Sequence, residues 1–217
     1  MNLPNALSAA RIVATPLIAV LPFAHSSGLR FLAFLLFLAA AITDYIDGML
    51  ARSRKQETDL GKLLDPFADK ALLVGTFVPM YLLARDLPFV TPLGNVGLSA
   101  WIVAIVLGRE VFMTVFRQAA KARGVVIAAI GPAKWKTGFQ LIWQGAAYFW
   151  FFIATVAVER RWEGLPAWHG FALFNGTVGT LAMIAAVILT VYSLVLYLRG
   201  FGSIFATQPS KTNKTTK

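Results

Sequence analysis

Apolar stretches long enough to cross a bilayer alternate with short polar connections along most of the chain. Their lengths predict six membrane-spanning helices, over about 6–24, 31–51, 68–84, 97–118, 138–158 and 171–198. "HSSGLR" joins the first pair, "ERRWEGLPAWHG" joins the last, and "RDLPFVTPLGNVG", with the Pro and Gly of a loop, joins the third and fourth. The expected fold is all-α: one polytopic transmembrane domain over 1–200 with about six helices. The polar tail, 201–217, reads as disordered.

Composition strengthens this picture. The chain is 58% hydrophobic and only 14% charged, against about 45–50% apolar and about 25% charged in a soluble domain. There is no cysteine, which excludes disulfides, thiolate chemistry and Cys-ligated metals. The first residues do not read as a signal peptide, because no basic stretch precedes the apolar run and Arg11 interrupts it.

The net charge of +10 raises nucleic acid as a partner, but the positives do not gather on a soluble face. They gather as Arg52, Arg54, Lys55 and Lys62, as Arg117, Lys121, Arg123, Lys134 and Lys136, and as Lys211, Lys214 and Lys217. The other side of the membrane has Arg30, Arg85, Arg160 and Arg161. This asymmetry suits anionic lipid headgroups. The positive-inside rule then places both termini, and the acidic loop between the second and third helices, in the cytoplasm; the expected location is the inner membrane. Trp101, Trp135, Trp162 and Trp168 fall near helix ends and read as an interfacial aromatic belt. His25 and His169 fall in outward loops and are not read as ligands.

One stretch departs from the apolar pattern. "TDYIDGMLARSRKQETDLGKLLDPFADK", Thr43 to Lys70, holds six of the ten acidic residues. Asp44, Asp47, Gly48 and Ala51 share one helical face, where small residues let a ligand or another backbone approach. Gly61, Asp65 and Asp69 recur every four residues on the next helix. A solvated loop accounts for Glu57 and Asp59 but not for Asp44 and Asp47, which follow directly on "FLAFLLFLAAAI". Four converging carboxylates repel one another unless a cation lies between them. All-oxygen ligands suit Mg²⁺ or Mn²⁺, and four Asp have capacity for two ions acting at phosphorus. One Asp is then available as a general base.

The spacing D-x2-D-G-x2-A-R-x8-G-x3-D-x3-D is filled by Asp44, Asp47, Gly48, Ala51, Arg52, Gly61, Asp65 and Asp69. It resembles the signature of the CDP-alcohol phosphatidyltransferases, integral-membrane enzymes of phospholipid biosynthesis. The resemblance implies transfer of a phosphatidyl group from CDP-diacylglycerol to an alcohol, with release of CMP. It implies metal binding by Asp44, Asp47, Asp65 and Asp69, with Asp69 as the general base. It also implies a CDP site of Asp44, Asp47, Gly48, Ala51, Arg52, Gly61 and Asp65, and a homodimer. Gly176 and Gly179 offer a face for close helix approach, a candidate dimer contact.

Three further stretches bear on the acceptor. "NLPNALSAARIVATP", with Asn2, Pro4, Asn5, Leu7 and Arg11, resembles the opening of bacterial phosphatidylglycerophosphate synthases, with Ser8 in place of Thr. "LGREVFMTVFRQAAKARGVVIAA" resembles their Arg-Glu segment. "AKWKTGFQ" resembles their Lys-x-Lys-Thr-x-x-Gln segment, with Ala133 for Gly. The implied acceptor is sn-glycerol 3-phosphate, a dianion that needs fixed cations. Arg109, Arg117 and Lys134 are the candidates, with Glu110 orienting one of them. Lys121, Arg123 and Lys136 read as orientation charges, and Arg11 either pairs with a core Asp or snorkels. A cardiolipin synthase using phosphatidylglycerol, an inositol-phosphate transferase, a cation transporter with intramembrane Asp and a structural membrane subunit stand as alternatives.

Overall fold

The computed structural model describes residues 3–54, 59–128 and 131–201; the side chains of residues 3, 4, 45, 47–54, 59–63 and 65 lie outside the description. The expected tail lies outside it too, apart from Phe201. Six long helices are present among the described residues: α1 (Leu3–Val20), α2 (Ser27–Arg54), α3 (Asp59–Leu83), α4 (Ala100–Ala122), α5 (Gly131–Glu159) and α6 (Pro166–Phe201). Five of them are long and apolar enough to cross a membrane. The exception is α4, where every 18-residue window carries Arg109, Glu110 and Arg117. The chain is a multi-pass membrane protein. Its outward-facing Leu181, Ile184 and Ile188 suit hydrocarbon as a solvent.

The core is held by α5. Trp143 meets Phe77 of α3 edge-on, with ring centroids 4.9 Å apart, and Tyr148 stacks on Phe37 of α2 at 5.3 Å. The buried Tyr148 hydroxyl lies 3.1 Å from the Ile18 carbonyl and 3.4 Å from that of Gly75, so one side chain ties α5 to α1 and α3. Gly75 lets α1 and α3 approach closely: a Cβ there would sit 2.6 Å from Thr15 Cγ2. One turn before Thr15 stands Arg11, whose carbonyl accepts the Thr15 hydroxyl at 2.8 Å. The same close approach therefore brings Arg11 beside α3.

The connection between α3 and α4 is not the open loop expected. It folds into an antiparallel hairpin of β1 (Phe89–Thr91) and β2 (Gly94–Val96), turning at Gly94 with φ +111°. Thr91 Oγ1 closes the turn by donating to the Gly94 carbonyl at 2.6 Å. The strands are three residues each, too short for an alternating pattern to register.

The hairpin also corrects the reading of Gly176 and Gly179. A Cβ on Gly176 would lie 2.0 Å from the Val90 carbonyl oxygen, and one on Gly179 would lie 2.6 Å from the Phe89 ring. The small face of α6 seats the hairpin of its own chain, so it is not a free surface for a second copy. The remaining connections differ less. Arg30, assigned to the outer side, is buried in the first turns of α2 and donates to the Pro22 carbonyl at 2.9 Å and to Thr155. Trp101 and Trp135 are exposed, as a belt requires, whereas Trp168 stacks on Trp150 at 5.6 Å.

Gly176→Ala should overpack the hairpin seat and lower the melting temperature in detergent by about 5 °C. Gly170→Ala, on the same helix with no atom near its Cβ position, should leave it unchanged or raise it slightly. Equal effects at the two positions would contradict the packing described.

Candidate functional site

The polar ends of the helices open into one cleft of roughly 470 Å³. Its walls carry opposite charge. Asp44 from α2 and Asp69 from α3 form one side, and Arg109, Arg117 and Lys136 with Glu110 form the other.

The acidic side is assembled by Arg11. This guanidinium is 3% exposed, and its Nη1 donates to Asp44 Oδ1 at 2.5 Å and to Asp69 Oδ1 at 2.9 Å. Both oxygens bind one nitrogen, so they lie no farther apart than those two bonds laid end to end. The outcome for Arg11 is pairing with core carboxylates, not snorkelling. The carboxylates themselves stay about half-exposed, with side-chain accessibilities of 51% and 56%. Asp47, Gly48, Ala51 and Arg52 lie on the last turns of α2, and Gly61 and Asp65 on the first turns of α3. The side chains of these six lie outside the described residues. Among the described residues no group of three His, Asp or Glu side chains forms a metal cluster. The donors brought together are oxygen-only, a set that fits Mg²⁺ or Mn²⁺ and not a softer metal.

The cationic side rests on α6. Arg109 Nη1 donates to Glu110 Oε1 at 2.8 Å and its Nη2 to Ser193 Oγ at 3.1 Å. Arg117 Nη2 donates to the Tyr197 hydroxyl at 3.0 Å, and that hydroxyl donates to the Ala128 carbonyl at 3.2 Å. Both guanidiniums also lie against the Tyr197 ring, 6.0 Å and 5.4 Å from its centroid. Thr190, Ser193 and Tyr197 form a buried polar stripe on an otherwise apolar helix. The recurrence of polar residues at helical spacing is the signal the sequence offers for this stripe.

Lys134 and Lys136 lie opposite to expectation. Lys134 is exposed and absent from the cleft wall, whereas Lys136 is buried in it and donates to Glu110 Oε1. The reason is helical phase. Lys136, Gln140 and Gln144 follow at intervals of four and share the inner face of α5, while a residue two positions earlier points away. Glu110 does orient its neighbours, holding both Arg109 and Lys136. Three cations against one anion leave this wall two positive charges in excess, a setting for a dianion. Consistent with a missing partner, Arg109 Nε and Gln140 Nε2 are buried with no hydrogen-bond partner among the described residues.

Comparison with known proteins agrees with the architecture. The family model for CDP-alcohol phosphatidyltransferases matches residues 1–207. The CDP-diacylglycerol–glycerol-3-phosphate 3-phosphatidyltransferase of Cereibacter sphaeroides is 35% identical over 145 residues, covering 65% of this chain and 60% of that protein. A probable phosphatidylglycerophosphate synthase of Mycobacterium tuberculosis is 35% identical over 144 residues, covering 65% and 63%. A cardiolipin synthase (CMP-forming) of Oryza sativa is 29% identical over 209 residues, covering 92% and 57%. The chain thus spans about three fifths of the length of these curated relatives. With the six-helix bundle and the acidic signature, the match over 1–207 establishes that the chain belongs to the CDP-alcohol phosphatidyltransferase family.

Proposed function

We propose that this protein transfers a phosphatidyl group from CDP-diacylglycerol to sn-glycerol 3-phosphate, giving phosphatidylglycerophosphate and CMP. The observation that carries this reading is the cleft with two poles, carboxylates from α2 and α3 facing an excess of cations on α4 and α5. The names of the Cereibacter and Mycobacterium relatives support the same acceptor.

In this reading the primary hydroxyl oxygen of the acceptor attacks the phosphorus that bears the diacylglycerol. A new P–O bond forms, the bond to the bridging oxygen breaks, and CMP leaves with its electron pair. Asp69 takes the hydroxyl proton, and Arg11 fixes where that carboxylate stands. Asp44, Asp47, Asp65 and Asp69 would hold Mg²⁺ or Mn²⁺, two ions, which supplies charge neutralisation at the diphosphate. Gly48, Ala51, Arg52 and Gly61 complete the cytidine diphosphate site. Arg109, Arg117 and Lys136 take the acceptor phosphate, with Lys136 in the place first assigned to Lys134. The site faces the cytoplasm of an inner membrane, where a soluble phospho-alcohol meets a lipid-anchored nucleotide. A homodimer belongs to this reading through family resemblance, with contacts elsewhere than Gly176 and Gly179.

The 92% coverage by a cardiolipin synthase favours a second reading, with phosphatidylglycerol as acceptor in the same cleft. CMP release by the purified protein, measured with CDP-diacylglycerol, Mg²⁺ or Mn²⁺ and each acceptor in turn, separates the two. Release with glycerol 3-phosphate alone is expected; release with phosphatidylglycerol alone would replace the acceptor assignment.

Asp69→Asn should lower the rate of CMP release by about 100-fold or more while the protein stays folded. Chelation by EDTA should abolish release, and added Mg²⁺ or Mn²⁺ should restore it. Arg117→Ala should raise the KM for glycerol 3-phosphate by about tenfold and leave the KM for CDP-diacylglycerol unchanged. A rise in both, or in neither, would remove Arg117 from the acceptor pocket.

A further inference from the structure

Lys136, Gln140 and Gln144 recur every four residues along α5, and each is no more than 4% exposed. They stand in line on one face, about 6 Å apart along the helix axis. All three line the cleft. The outer two are satisfied within the protein: Lys136 donates to Glu110, and Gln144 Nε2 donates to Thr76 Oγ1 at 2.7 Å. Gln140 between them is not, because its Nε2 is buried with no partner among the described residues. A buried amide donor left unpaired is costly, and its persistence on a cleft wall points to a ligand oxygen as its partner.

The neighbours indicate which oxygen. Arg117, Arg109 and Lys136 hold the positive charge that suits a phosphate. Gln140 lies one turn along α5 from Lys136, toward Gln144 and its Thr76 contact. A three-carbon acceptor with its phosphate at Lys136 reaches about one helical turn along this face. The atom it brings to Gln140 therefore comes from the carbon backbone and not from the phosphate. The primary hydroxyl is committed to the reaction beside Asp69, which leaves the secondary hydroxyl. A neutral amide donor suits a neutral hydroxyl oxygen.

Resting on the function proposed above, we propose that Gln140 is a specificity-determining residue. Its Nε2 donates a hydrogen bond to the secondary hydroxyl oxygen of sn-glycerol 3-phosphate. The cleft thereby distinguishes this acceptor from phospho-alcohols that lack that hydroxyl.

The test compares sn-glycerol 3-phosphate with 3-hydroxypropyl phosphate, which keeps the phosphate and a primary hydroxyl and lacks only the secondary one. CMP release gives kcat/KM for both acceptors in the full-length wild type and in Gln140→Met. The wild type should prefer glycerol 3-phosphate by about tenfold or more, and the variant should bring the two within about threefold. The melting temperature of Gln140→Met should match the wild type, since no hydrogen bond from Nε2 to the described residues is lost. An unchanged preference in the variant overturns the proposal, as does a wild type without preference. A melting temperature lowered by many degrees also overturns it, by assigning Gln140 a structural role. Should the variant turn over too slowly, calorimetric titration of both phospho-alcohols reads the same ratio as binding. Wild-type CMP release with a different acceptor only overturns the acceptor assignment itself, a result distinct from loss of discrimination at Gln140.

Discussion

An ionised side chain inside an apolar helix bundle costs several kcal/mol unless a polar partner meets it there. This chain buries Arg11, Arg30, Arg109 and Lys136, and for each the partner comes wholly or partly from another helix or turn. Arg11 requires α2 and α3 together, Arg30 requires the turn after α1 and the end of α5, and Lys136 requires α4. Apolar packing alone permits many arrangements of greasy helices, since lipid serves the outer faces as well as another helix does. The buried charges discriminate among those arrangements. Each wrong neighbour would strand a cation in hydrocarbon.

The same constraint shapes the cleft. Its charged groups are partly paired within each wall, so the bundle tolerates them, but neither wall is neutral. Arg11 offsets only part of the charge of Asp44 and Asp69, and Glu110 offsets only one of three cations. What remains is a residual field across an open volume, negative at α2 and α3, positive at α4 and α5. The proposed reaction, which joins a nucleotide-linked lipid to a phosphorylated alcohol, calls for such separation, because two anionic substrates must be held near one another without being held by the same groups.

Most of the fold was readable in advance because long apolar runs carry a strong, local signal. The hairpin was not, since three-residue strands with a Pro in the turn leave no periodicity to detect. The acidic signature was readable from its spacing, yet its partner Arg11 lies 33 residues from Asp44 and 58 from Asp69, a distance that sequence pattern cannot bridge. Lys134 and Lys136 differ only in helical phase, and phase was the one property that a motif match did not consult. The repeat of Gln140 and Gln144 at intervals of four, with Trp143 and Ala147 beside them, marks the inner face once it is sought. Tyr197 and Ser193 were hidden for the opposite reason: a hydroxyl within a strongly apolar helix reads as incidental until the arginines that need it are in place.

The hairpin and the cationic wall share a dependence on α6, which follows the other five helices in chain order. Val90 and Phe89 find their seat at Gly176 and Gly179, and Arg109 and Arg117 take Ser193 and Tyr197 of the same helix as partners. During translation, α1 to α5 are made before either seat exists. The carboxylate pole, built from α1, α2 and α3, is therefore the early product of synthesis, and the cationic pole is the late one. A nascent chain halted before α6 has the elements that pair Arg11 with Asp44 and Asp69 but lacks Ser193 and Tyr197 behind its counter-wall, so the pocket is fully formed only when α6 joins the bundle.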